Sequence, residues 1–245
     1  MSSKQSLILA MDTATSCSSI SLTRGVGAEG ELVAELTLNS KVTHSRRLLS
    51  GIEWLLTENH ISFDEIDALA VGLGPGSFTG LRIAMATVKG LASAMEKPLL
   101  GVSTLDALAF TCSGERPLCV LIDARKKEIY RRWYTPDIRG RYNANGCIEA
   151  LQPAALLAEI NHPVLMVGDG VLGYGGFLSK HLEGLLMFAP HPLHYPSAAA
   201  VGFLGCEELQ AGNIMEIESA TPLYIRASDA ELSLINKEQQ DRAKK

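Results

Sequence analysis

Apolar residues along the chain fall into unbroken runs, alternating runs and helical stripes, and their order outlines a fold. "LILAM" at 7–11 is an unbroken run closed by Asp12, the pattern of a buried strand. "CSSISLTRG" at 17–25 alternates like a half-exposed strand, and "ELVAELTL" at 31–38 reads as a third, so the chain should open with an antiparallel meander. A helical pattern comes next, with Leu48, Ile52 and Leu55 in one stripe, Leu49 and Leu56 beside it, and Thr43 as a candidate cap. Residues 68–73 suit a strand. A second helix starts near Thr79, carries Leu81, Met85, Val88, Ala92 and Met95 at helical spacing, and stops before Pro98.

The pattern then restarts. "PLCVLIDA" from Pro117 repeats the theme of "SLILAMDTA", an apolar run ended by an acid and a small residue, and "KEIYRRWYT" alternates as the next strand. Asp12 and Asp123 therefore hold matching places in two halves. "PVLMVGDG" at 163–170 predicts a strand and a glycine turn, residues 197–212 a helix stopped by Gly212, "TPLYIR" a last short strand, and "NKEQQDRAKK" a polar, frayed tail. We expect a duplicated mixed α/β architecture: an N-terminal lobe over 1–110, a C-terminal lobe over 111–230, a tail over 231–245, and a cleft between the lobes.

Composition narrows the function. At 245 residues and 47% hydrophobic content the chain is long enough for a substantial core. A net charge of −5 argues against gripping nucleic acid alone, since phosphate neutralisation needs clustered Lys and Arg; a role near RNA would run through a more basic partner. The five cysteines are scattered, with no CxxC pair, which fits neither a disulfide framework nor a zinc ribbon and suits a reducing cytosol. The first apolar run meets an acid after five residues, too short for a signal or membrane segment, and no apolar run approaches ~20 residues, so a soluble cytoplasmic protein is expected.

The stretch "GLGPGSFTGLRIAMATVKGLASAM" at 72–95 has the look of a nucleotide loop. A P-loop needs GxxxxGK[ST], but Gly80 is followed by Leu81 and Arg82, and Lys89 lies in the body of the helix. A dinucleotide fingerprint needs GxGxxG; here the third glycine comes one residue late, and Glu96 stands at a helix end instead of closing a second strand. The simpler reading is a tight strand-to-helix connection. Gly74 and Gly76 allow positive φ, and Ser77 or Thr79 caps the helix, whose free amides would still attract an anion.

Taken together, "ILAMDTAT", "ALAVGLGPGSFTGLRIAMATVKGLA", "GVSTLDALA", "LIDARKKEIY" and "ATPLYIR", in this order from Leu7 to about Arg226, closely resemble the bacterial TsaB (YeaZ) family. That resemblance implies the two-lobed actin/Hsp70/sugar-kinase-like fold, a duplicated ribonuclease H-like α/β arrangement. It also implies a role in tRNA threonylcarbamoyladenosine biosynthesis as a non-catalytic relative and activator of a TsaD-like transferase. A TsaE-like ATPase would join the complex, and tRNA would be met only through it. TsaD-like enzymes hold a metal with two histidines four apart on a helix; here Thr104 and Leu108 stand at those places. Thr is a poor ligand and Leu is none, so no metal site, catalytic residue or resident cofactor is expected.

The candidate site residues fall into two sets. Candidate nucleotide contacts are Asp12, Thr13 and Thr15 in the first turn, with Asp123, Gly168 and Gly170 in the second half. For Asp12 the alternatives are a hydrated cation or the turn's own amides, the amides being favoured. The candidate partner surface is Leu48, Ile52 and Leu55 with Leu81, Arg82, Met85, Val88 and Met95, which the resemblance assigns to the TsaD-like partner and which would also suit a homodimer; the competing reading of the stripe is lobe core. Ala84, Ala86, Gly90 and Ala94 would allow close helix approach. A small-molecule kinase of the same fold needs Asp12 and Asp123 to face one cleft. A peptidase needs a nucleophile such as Cys17, for which no motif is present. His191 and His194 in "HPLH" read as loop surface.

Overall fold

The computed structural model describes residues 5–39 and 45–226. Thr43 and the polar tail lie outside the described residues. Strands β1 (Leu7–Asp12), β2 (Cys17–Arg24), β3 (Glu31–Asn39), β4 (Ala68–Gly72) and β5 (Leu99–Val102) form one sheet in the order β3-β2-β1-β4-β5. Strands β6 (Leu118–Arg125), β7 (Glu128–Pro136), β8 (Tyr142–Leu151), β9 (Val164–Val167) and β10 (Leu186–Phe188) form the other in the order β10-β9-β6-β7-β8. Read from the opposite edge, the second order repeats the first. The pairings repeat too: β1 and β6 each run antiparallel to the next strand and parallel to the strand after a helix. The expected two-lobed, duplicated α/β fold is what the chain adopts.

Helices α1 (Ser45–Glu58) and α2 (Phe78–Met95) cover one face of the first sheet. α4 (Leu156–Glu159) and α5 (Asp169–His181) belong to the second half. The remaining two helices cross over. α3 (Thr104–Phe110) packs on β6 and β8, while α6 (Ala198–Ala211) returns to lie on β1, β2, β4 and β5. The predicted lobes are contiguous in sequence, but the packing is not. With α1 and α2 on one face and α6 on the other, β1 is fully buried, which is why its run is unbroken: Leu7, Leu9 and Met11 join one cluster, Ile8 and Ala10 the other.

Three readings need correction. The stripe assigned to a partner is core. Leu48, Ile52, Leu55, Leu81, Met85 and Val88 are all at most 5% exposed; Leu81 lies over Gly74, the other five join the core of the first sheet, and Met95 lies half-buried against the same cluster. Burying such a side chain contributes roughly 1.5–3 kcal/mol, so none of them turns outward to meet another protein. Of that set only Arg82 is exposed.

β2, read as half-exposed, is buried along nearly its whole length. Ile20 and Leu22 face the α1 side, whereas Ser19 Oγ accepts the Ala198 amide (3.0 Å) and Thr23 packs on Gly202 of α6. The alternating polar residues meet a helix of alanines and glycines, not water. Residues 221–226 form no strand. They pass from the first lobe, where the Leu223 amide donates to the Leu73 carbonyl (2.8 Å), to the second, where Ile225 packs on its core, and Pro222 has no N–H to extend a ladder.

Candidate functional site at the heads of β1 and β6

The loop between β4 and α2 wraps the turn that succeeds β1. An added Cβ at Gly72 would lie 1.9 Å from Asp12 Oδ2, one at Gly76 2.1 Å from the Ala14 carbonyl, and one at Gly80 2.0 Å from the Thr13 carbonyl. Gly76 and Gly80 are therefore required by the approach of backbone to backbone, and Gly72 by the Asp12 carboxylate that lies against it. The Ser77 amide donates to the Ala14 carbonyl (2.7 Å), and the Ser77 hydroxyl caps α2 by accepting the Gly80 amide (3.3 Å). Lys89 spends its ammonium on the carbonyls of Glu218 and Ala220 (2.9 and 3.3 Å).

Asp12 sits inside this wrapping at 1% exposure. Its Oδ1 accepts the Ala14 amide (2.8 Å), and its Oδ2 accepts the Thr104 hydroxyl (2.7 Å), which in turn accepts the Gly74 amide (3.1 Å). Burial pushes the Asp12 carboxyl up to about 6, against the lowering by those two donors. Thr13 is buried as well and donates to the Gly80 carbonyl (2.8 Å). The amide reading of Asp12 holds. Thr104 ties the start of α3 to this carboxylate, and Leu108 is buried in the second lobe's core.

The head of β6 is built alike but stays open. Gly168, at φ +107°, and Gly170 press on Leu121, where a Cβ at Gly168 would lie 2.0 Å from the carbonyl. Asp169 Oδ1 accepts the Asp123 amide (2.9 Å), and burial, with the neighbouring Asp123 charge as a smaller contribution, pushes its carboxyl up to about 6. Asp123 itself is 27% exposed and receives the Arg125 amide (2.8 Å) and guanidinium (3.2 Å).

Between the two heads lies a front cleft of about 220 Å³. Of the six candidate nucleotide contacts, Thr15 and Asp123 line it; Asp12, Thr13, Gly168 and Gly170 do not, because each is used to hold its own turn. Asp12 and Asp123 thus fail the requirement of the kinase alternative. Asp169, between the two candidate glycines, does line the cleft, as do Lys126 and Arg226, which sequence reasoning did not single out. Arg226 reaches it at the end of the 221–226 run and pairs with Glu128 of the second lobe. The same run stacks Tyr224 on Phe78 (5.1 Å between centroids), and Arg82 lies 5.9 Å from both rings with its Nε on the Tyr224 hydroxyl (3.2 Å).

Burial, with the charges of Asp12 and Glu35, pushes the Cys17 thiol up to about 11, away from a reactive thiolate. His194, read as surface, is 3% exposed, and its Nδ1 is without a hydrogen-bond partner among the described residues. Among those residues no three His, Cys, Asp or Glu side chains converge as a metal site, and no helix is long and apolar enough to cross a membrane.

The family model described as TsaD, tRNA N6-adenosine threonylcarbamoyltransferase, matches residues 31–233. The chain is 32% identical over 237 residues to the tRNA threonylcarbamoyladenosine biosynthesis protein TsaB of Escherichia coli (strain K12), covering 94% of this chain and 99% of that protein. It is 28% identical over 250 residues to the protein of the same description from Bacillus subtilis (strain 168), covering 93% and 97%. Among solved structures, YeaZ from Pseudomonas aeruginosa superposes with a TM-score of 0.71 at 29% identity, covering 89% of this chain and 99% of that one.

Proposed function

The chain belongs to the TsaB (YeaZ) family, related to TsaD, and on that footing we propose that it serves tRNA threonylcarbamoyladenosine biosynthesis as a non-catalytic subunit that binds and activates a TsaD-like transferase. The observation that carries this reading is the state of Asp12. Both of its oxygens are spent inside the protein, one of them on Thr104, so the head of β1 has become a structural plug. We assign the chain no resident cofactor; a nucleotide held in the complex would meet Thr15 and Asp123 at the front cleft. A TsaE-like ATPase completes the assembly, and tRNA is met through it, in keeping with the net charge of −5. The chain works in the cytoplasm, where its free cysteines stay reduced.

The partner surface is the outer face of α1 and α2, not the inner stripe. Leu49 and Trp54 are 58% and 53% exposed on α1, and Ala86, Gly90, Ser93 and Ala94 make an exposed small-residue face on α2, where a Cβ at Gly90 would meet nothing within 4 Å. Large apolar groups beside a small-residue groove suit the close approach of a partner's helices, and the same face would join two copies of the chain when the transferase is absent.

The test is light scattering of the chain mixed with a TsaD-like transferase. A heterocomplex should form, and Trp54→Glu or Ala86→Arg should abolish it while leaving the fold intact. Normal assembly of both variants, or threonylcarbamoyl transfer by the chain alone, would overturn the proposal. Met85→Glu is no probe of this surface, since it places a charge in the core.

A further inference from the structure

The lobes part a second time, at the ends of β1 and β6 far from the front cleft. Strand register fixes the place. Leu7 pairs with Arg24, so the turn after β2 lies at the foot of the first sheet; Leu118 pairs with Tyr134, so the β7–β8 hairpin lies at the foot of the second. Between these feet is a cavity of about 620 Å³, nearly three times the front cleft. Asp106 and Phe110 of α3, Leu204 and Glu207 of α6, and Arg141 and Tyr142 of the hairpin line it. Its size and its mixture of aromatic and polar walls are those of a small-molecule site.

The polar groups divide into committed and uncommitted. Asp106 accepts from Arg132 (2.9 and 3.2 Å) and from the buried Tyr134 hydroxyl (2.6 Å), so it is part of the wall. Arg141 and Glu207 differ. Among the described residues neither the Arg141 guanidinium nor the Glu207 carboxylate makes a hydrogen bond or ion pair, although the Arg141 charge is among the causes that lower the Asp137 carboxyl on the same wall.

Their backbones are nevertheless held in place. Asp137 Oδ1 accepts the amides of Arg139 and Arg141 (2.7 and 3.0 Å), and the Gly114 amide ties down the hairpin tip at the Gly140 carbonyl (3.1 Å). Glu207 comes directly after the buried Gly205 and Cys206 on α6, and its carboxylate lies over Gly27, where a Cβ would stand 3.3 Å from Oε1. One uncommitted cation and one uncommitted anion thus stand on different lobes, with Phe110, Leu204 and Tyr142 on the same walls.

We propose that this rear cleft binds a small zwitterion of dipeptide size, its ammonium on Glu207, its carboxylate on Arg141 and its apolar side chain on Phe110 and Leu204. A simple anion would meet the carboxylates of Asp106, Asp137 and Glu207, and a simple cation would meet Arg141. A purely apolar ligand would desolvate both charges without pairing them. A free amino acid carries both charges on one carbon, whereas a dipeptide separates them and fills more of the space. Arg141 offers a planar fork for a carboxylate. Because the two charges belong to different lobes, the ligand would bridge them and hold the angle between them. This inference stands apart from the transferase-binding role, and its test uses the chain alone.

The full-length, nitrogen-15-labelled chain is titrated with L-alanyl-L-leucine, with the N-acetylated dipeptide that lacks the ammonium, and with the C-terminal amide that lacks the carboxylate. The unmodified dipeptide should give saturable amide shifts confined to residues 106–113, 137–144 and 204–207. Each blocked form should bind at least tenfold more weakly. Arg141→Ala should erase the preference over the amide, and Glu207→Gln the preference over the acetylated form, with both variants keeping the parent spectrum elsewhere. Shifts that do not saturate, that fall on the front cleft, or that are equal for the blocked forms would overturn the proposal, as would unchanged preferences in both variants.

Discussion

The heads of β1 and β6 occupy equivalent positions in two halves with the same strand order, yet one is sealed and the other open. Asp12 is wrapped by a glycine loop and roofed by Thr104 from the start of α3; Asp123 faces the front cleft and pairs with the exposed Arg125. The difference arises from the loops that leave the neighbouring parallel strands, β4 and β9. The segment from the end of β4 to the start of α2 closes on Asp12 and the turn after it at Gly72, Gly76 and Gly80, while Gly168 and Gly170 close on Leu121 of β6 and leave Asp123 uncovered. Duplication thus preserved the framework while one copy of the acidic turn became a fastening and the other a wall of the cleft.

The shared part of the two heads is the glycine contact, and breaking it should have the largest effect. Gly72→Ala drives a Cβ to 1.9 Å from Asp12, and Gly168→Ala drives one to 2.0 Å from the Leu121 carbonyl while also demanding φ +107° of an L-residue. Each should lower unfolding stability by about 3 kcal/mol or more, the range of overpacking combined with backbone strain. Chemical denaturation would measure this, and a loss below about 1 kcal/mol would mean that the Asp12 side chain, for Gly72, or the chain around Leu121, for Gly168, can move aside.

The next effect separates two acids whose carboxyls are both pushed up, Asp12 in the first half and Asp169 in the second. Burial is the leading cause for both, and each is raised from 3.8 to about 6. A carboxyl raised in the folded state binds its proton more tightly there than in the unfolded chain. Its contribution to stability is therefore complete below about pH 4 and lost as pH rises through about 6. Two units correspond to roughly 2–3 kcal/mol for each acid. Stability should fall between pH 4 and pH 7. Asp12→Asn, which keeps an acceptor for the Ala14 amide and cannot ionise, should remove about half of that fall. A pH profile identical to the parent's would show that Asp12 is not the group titrating.

Much of this was legible in sequence, and the failures share a cause. The runs ending in Asp12 and Asp123 mark their strands because both faces are buried, and Ser77 at the start of α2 was readable as a cap. The periodicity of α1 and α2 was readable too, but a stripe records only that something apolar covers it; whether that is the chain's own sheet or another protein is not encoded in spacing. β2 was misjudged because its cover, α6, returns from more than 170 residues away to place Ala198 on Ser19. The plugging of Asp12 was hidden likewise, since Thr104 lies 92 residues from it. β8 escaped notice as an exposed edge whose residues Asn143, Asn145 and Gly146 are poor strand formers, and α5 because Gly170, Gly173, Gly175 and Gly176 weaken a helical reading.

The smallest effect concerns the turn that only the second head has. Lys126 and Lys127 join β6 to β7 with φ of 52° and 65°, and Arg125 before them stands at 64° beside a register shift. Two positive-φ central residues are what a mirror-image two-residue hairpin turn requires, and Asn-Gly is the pair that adopts it most readily. Lysines there cost roughly 1 kcal/mol each relative to glycine in conformation alone, part of which glycine's greater freedom in the unfolded chain cancels. Arg125 and Lys126 line the front cleft, so the local rule gives way where the cleft presents cations. Replacing Lys126-Lys127 by Asn-Gly should therefore raise unfolding stability by about 0.5–1 kcal/mol, read as a higher denaturant midpoint at unchanged slope. The first head, whose turn after β1 has no positive-φ residue among 13–16, offers no equivalent gain. A neutral or destabilising result would mean that the lysine side chains offset the strain through their own contacts, and the turn would then count as part of the second head's framework.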